Sequence, residues 1–131
     1  MNPVVHFELP CDDRERVARF YRQAFAWKLE MLGPEMANYV LVTTASEDAR
    51  PDAPRGAING GIFTRTAQMP EVHPSVVIGV GDIQAAMKAV RDAGGEILGE
   101  PMEIPGVGHY VSFIDTERNR LSMLQALRPG H

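Results

Sequence analysis

Val4-Val5-His6-Phe7-Glu8-Leu9 alternates, with Val5, Phe7 and Leu9 on one face and Val4, His6 and Glu8 on the other, which is the pattern of a strand buried on one side. Asp12-Asp13-Arg14-Glu15 follows at once and predicts a helix start, with Asp12 as the cap and Glu15 three residues on. Val17, Phe20, Tyr21, Ala24 and Phe25 then form one apolar stripe, so this helix buries a single side. The same order returns 76 − 7 = 69 positions later, where Phe7 falls on Val76, Leu9 on Ile78, Asp13 on Asp82, Val17 on Ala86, Tyr21 on Val90 and Arg22 on Arg91. The chain is built from two copies of one unit.

Working outward, strands are expected at 27–31, 38–44 and 57–64 in the first copy, with a Pro- and charge-rich exposed loop over 45–55. In the second, Gly81-Asp82 opens a helix carrying Ile83, Ala86, Met87 and Val90, and Gly94-Gly95 stops it in the left-handed geometry that glycine permits. Strands at 96–102, 108–114 and 120–126 follow, separated by turns at Pro105-Gly106 and at 115–119. Each copy is therefore a βαβββ module whose helix covers one face of its own sheet and leaves the other face over. The expected class is α+β, with two modules forming one cup-shaped, mostly antiparallel half-barrel. Residues 1–131 make a single domain, module one at about 3–65 and module two at about 73–127.

Composition narrows the function. At 131 residues and 44% hydrophobic, the chain fills one ordinary core. Lys+Arg 13 against Asp+Glu 17 gives a net charge of −4, which favours neither nucleic acid nor an anionic membrane surface. No apolar run approaches the roughly 18 residues of a spanning helix, and Met1-Asn2-Pro3-Val4-Val5-His6 lacks a basic stretch followed by an apolar one, so the reading is cytosolic. Cys11 is the only cysteine, which excludes an internal disulfide and any multi-cysteine zinc or iron-sulfur site. A bound metal would have to be held by imidazole and carboxylate. Gly60-Gly61 and Gly94-Gly95 lack the lysine of a phosphate loop.

His6-Phe7-Glu8-Leu9-Pro10, Phe20-Tyr21-Arg22, Phe25-Ala26-Trp27, Ile58-Asn59-Gly60-Gly61-Ile62, Ala93-Gly94-Gly95 and Asp115-Thr116-Glu117-Arg118-Asn119-Arg120 together resemble the vicinal oxygen chelate superfamily. Its members include glyoxalase I, extradiol dioxygenases, fosfomycin-resistance transferases and bleomycin-binding proteins. The resemblance runs from about Val4 to Ala126. It implies paired modules forming a cup, often a homodimer, and in the enzymes a divalent metal held by one residue from each of four strands. His6 stands where the first-strand histidine ligand stands. Gly61 stands at the second position, with Gly60 on the helix side. Ser75, opposite His6 in the repeat, falls at the third, and Ser122 at the last, where the metalloenzymes carry a carboxylate. Glycine offers no donor and serine is a poor ligand for divalent metals, so the inherited set is reduced to His6. Thr116 and Arg118 also replace the proline and glycine usual in the turn.

His6 and Glu8 are two apart on a strand and point the same way, so they can bind one metal, act as base and orienting partner in proton abstraction, or simply line a solvated cleft. His73 shares the face of Ser75 and would complete a displaced set with His6 and Glu8 if the strand began that early, against which Pro74 argues. Asn59 and Phe63 share a face with Gly61, an amide and a ring around a gap that either admits a flat ligand or reflects tight packing. His109, after Pro105-Gly106-Val107-Gly108, reads as a turn-tip histidine, and Trp27 as core or subunit interface. Aspartates beside Cys11 disfavour a thiolate.

Two readings from different classes follow. In the favoured one, the protein carries no metal or other cofactor and binds a small organic ligand at His6, Glu8, Asn59, Gly61, Phe63, His73, Ser75 and Ser122, as a homodimer. In the alternative, one divalent metal near His6 serves a lyase, isomerase or dioxygenase-like enzyme through His6, Glu8 and His73. A homodimeric module with no ligand of its own is the third possibility. The loss of three ligand positions favours the first.

Overall fold

The computed structural model describes residues 1–45, 58–68 and 73–127. Among them the order is β1 (Val4–Cys11), α1 (Arg14–Phe25), β2 (Lys28–Met31), a single 3-10 turn (Pro34–Met36), β3 (Val40–Thr43) and β4 (Gly60–Thr64). Then come β5 (Ser75–Gly79), α2 (Ile83–Asp92), β6 (Glu96–Ile104), β7 (Gly108–Ile114) and β8 (Arg120–Ala126). Strand, helix and three strands occur twice, and the class is α+β. The chain forms two compact units, one from His6 to Pro74 and the other from Met1–Val5 together with the residues from Ser75 onward. No helix among the described residues is long and apolar enough to cross a membrane.

In the first unit the strand order is β2-β3-β4-β1, with β1 parallel to β4 and the other pairs antiparallel. The alternation of β1 sends Phe7, Leu9 and Cys11 toward α1, where they meet Val40, Val42 and Ile62 from the sheet and Val17, Tyr21 and Trp27 from the helix and its exit. Trp27 lies flat on Tyr21, ring centroids 4.5 Å apart at 5°, and so belongs to the core. Two details of the helix differ from the sequence reading. Asp13, not Asp12, is the cap, its carboxylate accepting from the Arg16 N–H at 3.0 Å, because β1 runs on to Cys11 and pushes the helix start back by one. Asp12 pairs instead with Arg65 at 3.0 Å. The buried stripe is centred on Ala18, which is fully enclosed, whereas Phe20 is 55% and Phe25 61% exposed. At 100° per residue Phe20 lies about 200° round the helix from Ala18, on its outer side. Phe25 ends the helix, where Ala26 turns left-handed at φ 59°.

In the second unit the order is β5-β8-β7-β6, with β5 parallel to β8. Ile83 and Met87 of α2 pack with Val111, Phe113 and Met123, flanked by Ile78, Val80, Ala86, Val90, Ile97 and Leu121, which is the stripe that the sequence marks. Asp82 caps α2, accepting from the N–H groups of Gln84 and Ala85, and Gly94 leaves it at φ +98°. β6 outruns its expected end because a bulge between Leu98 and Met102, with Gly99 at φ +82°, absorbs Pro101 and lets pairing with β7 resume. The N-terminal residues belong here as well, for the Gly79 N–H donates to the Pro3 carbonyl at 2.8 Å.

Other boundaries moved for local reasons. β3 starts at Val40, not 38, since Asn38 is left-handed at φ 57° and its carbonyl accepts from the Arg14 guanidinium. β4 starts at Gly60. Apart from Ala45, the loop expected over 45–55 lies outside the described residues.

Candidate functional site

In the first unit, Glu8 of β1 and Leu41 of β3 both lie opposite Gly61 of β4, on the face turned away from α1. His6, two residues before Glu8, shares that face. Between the two rises a side chain that the sequence did not single out: Tyr39, whose hydroxyl donates to Glu8 Oε2 at 3.3 Å and lies 3.1 Å from His6 Nε2. A phenol has one proton to give. The hydroxyl thus lies between a carboxylate oxygen that accepts from it and an imidazole nitrogen whose role as donor or acceptor follows from the ring's tautomer. Burial pushes the His6 pKa below its ordinary value of 6.5, the negative charge of Glu8 opposing the shift.

Tyr39 also explains Gly61. A Cβ built on Gly61 would overlap the Tyr39 hydroxyl and ring, so the space beside the glycine is filled by the phenol. It is neither a gap for a flat ligand nor simple strand packing.

The second unit repeats the arrangement. Val77 of β5 and Ser112 of β7 lie opposite Ser122 of β8, and Tyr110 stands two residues before Ser112, as Tyr39 stands two before Leu41. The Ser122 hydroxyl is 2.7 Å from that of Tyr110 and 2.9 Å from that of Ser112, both serines being buried. Gly61 under Tyr39 is thus the register equivalent of Ser122 under Tyr110. The 69-residue repeat aligns only the first strands and helices. The tyrosines are 110 − 39 = 71 apart and the fourth-strand positions 122 − 61 = 61, because the connections differ in length. That shift hid Tyr39 and Tyr110, and a separate alignment of the third strands would have shown them.

The remaining candidates fall elsewhere. Asn59 Oδ1 accepts from the backbone N–H groups of Thr44 at 2.8 Å and Ala45 at 3.0 Å, so its amide ties the end of β3 to the start of β4. Phe63, opposite Pro10, is half-buried on the face of Gly61. Ser75 opens β5 half-buried, while His73 precedes Pro74, outside the strand, and is exposed. Among the described residues no three His, Cys, Asp or Glu side chains lie together, so the structure does not assemble His6, Glu8 and His73 into a ligand set. His109 is no turn tip: it lies within β7, opposite Gln125. Cys11 is buried, its thiol 3.9 Å from the Thr64 hydroxyl.

Of the four positions to which the resemblance assigns a divalent ion, His6 has its Nε2 3.1 Å from the Tyr39 hydroxyl, Gly61 carries no side-chain donor, and Ser75 and Ser122 carry hydroxyls, weak ligands for such ions, that of Ser122 shared with Tyr110 and Ser112.

Comparison with known proteins agrees with the fold. Residues 4–45 match the family model described as bleomycin resistance protein-like, N-terminal. A glyoxylase-like domain-containing protein of Didymella fabae is 31% identical over 126 residues, covering 94% of this chain and 91% of its own. Among solved structures, a hypothetical protein of Bacillus halodurans C-125 superimposes with a TM-score of 0.72 at 12% identity, over 99% of this chain and 98% of that one. Methylmalonyl-CoA epimerase from Mycobacterium tuberculosis does so with 0.69 at 11% identity, over 95% and 88%. With the twice-repeated βαβββ order and the extended match to the Didymella protein, the chain belongs to the glyoxalase-like family of the vicinal oxygen chelate superfamily.

Proposed function

We propose that this chain is a small-molecule-binding member of the superfamily that works without the superfamily's divalent metal. The observation that carries the reading is the Tyr39 hydroxyl, seated over Gly61 and bonded to both His6 and Glu8. A phenol in that place occupies the imidazole nitrogen that a metal would need and gives it a neutral partner instead. On this reading the ligand lies on the helix-free face of the first unit, against His6, Glu8 and Phe63. Ser75 and Ser122 lie on the corresponding face of the second unit. Asn59, Gly61 and His73 leave the ligand set for the reasons given above. The family resemblance supports a homodimer, which light scattering of the purified protein tests directly.

The deciding experiment is elemental analysis of protein purified without chelators. The expected result is well under one equivalent of Ni, Zn, Mn or Fe per chain. A content of about one ion per chain, lost on His6→Ala, would overturn the reading and restore the metal-dependent enzyme.

A further inference from the structure

We infer that Tyr39 is a positioning residue that turns His6 Nδ1 into a hydrogen-bond acceptor for the ligand, and that the ligand is a small apolar molecule bearing an N–H or O–H donor. This rests on the metal-free reading above and names the chemistry that the face selects.

With the Tyr39 proton given to the Glu8 carboxylate, which accepts only, His6 carries its own proton on Nε2 and the lone pair is left on Nδ1. No donor among the described residues reaches that nitrogen. No buried side-chain nitrogen or oxygen among them lacks a partner either, so Nδ1 is open to solvent. Two apolar side chains share the face: Leu41, 39% exposed, and Phe63, half-buried. A ligand that rests a ring or chain on Leu41 and Phe63 and points an amide, amine or hydroxyl hydrogen at Nδ1 satisfies both kinds of surface. A ligand presenting only acceptors would set lone pair against lone pair beside the Glu8 carboxylate, and is rejected.

The test uses the uniformly 15N-labelled protein, whose histidine ring correlations report the tautomer and whose backbone amides report the strands, and three probes: benzamide, N,N-dimethylbenzamide and benzoate. At pH 8 the His6 ring is expected as Nε2–H. Benzamide is expected to shift Nδ1 saturably, with the two donor-less probes about fivefold weaker or more, the equivalent of one hydrogen bond. Tyr39→Phe keeps the ring over Gly61 but frees the tautomer, so the mixed-tautomer signature should appear and the preference for benzamide should fall by a similar factor. An Nδ1–H tautomer in the unsubstituted protein, a measurement that needs no variant, overturns the inference. So does equal binding of benzamide and its dimethyl analogue with shifts on β1, β3 and β4, an outcome that leaves the ligand-binding reading standing. If no probe shifts any resonance of that face, both are refuted.

Discussion

Tyr39 and Tyr110 hold the same place in their two modules, each two residues before the β-residue that faces the fourth-strand position, and each with its hydroxyl against that position. In one module the position is empty of side chain and in the other it is a small alcohol. A methyl group at residue 61 therefore collides with the phenol. Gly61→Ala is expected to cost about 1–3 kcal/mol in denaturant unfolding, and Gly61→Ala combined with Tyr39→Ala should cost less than the sum of the two single changes. Additive costs would mean that the two side chains do not compete for one space.

Ser122 is the middle of a three-hydroxyl chain, 3% exposed. Ser122→Ala removes the common partner of Tyr110 and Ser112 and is expected to lower stability by about 1–3 kcal/mol. Ser122→Cys, which keeps a weak donor and acceptor, should recover part of the loss. A neutral Ser122→Ala would show that the chain contributes nothing to the folded state.

The His6 imidazole has its pKa lowered in the folded protein, chiefly by burial. A base whose native pKa lies below its unfolded value binds more protons unfolded, so its contribution is present above about pH 6.5 and is lost as the pH falls through the native value. Urea midpoints should drop between pH 7 and pH 5, and His6→Gln should shrink that drop. A larger drop in the variant contradicts the assignment.

Asp12 and Asp13 are adjacent and chemically identical, yet only Asp13 caps α1. Asp13→Ala should cost about 1 kcal/mol. Asp12→Ala removes only an exposed pair with Arg65 and should cost about 0–1 kcal/mol. The reverse ranking in thermal unfolding would return the cap to Asp12.

Arg118 sits at φ +69° in the turn where the Asp115 carboxylate accepts from the N–H groups of Glu117 and Asn119 and from the Asn119 amide. The superfamily's usual glycine at this place fits that angle without steric cost, which for other residues is about 1–2 kcal/mol. Arg118→Gly is therefore expected to raise the melting temperature, net of glycine's greater unfolded-state freedom. A lower melting temperature would show that the Arg118 side chain contributes more than the strain costs.

The sequence was most legible where period and punctuation agree. β7 and β8 run over their expected residues, and α2 turns the four side chains that its spacing marks toward the core, Ile83 and Met87 buried and Ala86 and Val90 partly so. Phe20 was assigned to the buried stripe because apolar character alone does not say which side of α1 meets the sheet. The two tyrosines were hidden because connections of unequal length break the repeat in the third and fourth strands. His6 and Glu8 were visible as a same-face pair, but the group that joins them comes from a segment some thirty residues on (39 − 8 = 31), and pairing across strands is written in register, not in local pattern.

The Pro3 carbonyl that receives the Gly79 N–H has a temporal meaning. The leading residues leave the ribosome first, but the strand they lie against is made far later. The downstream half is then joined by residues 1–5, made long before it. Cutting between the halves at Pro74 would strip residues 1–5 from the fragment that needs them, and a bulky N-terminal tag should disturb amide protection in β5 before it disturbs β2 or β3.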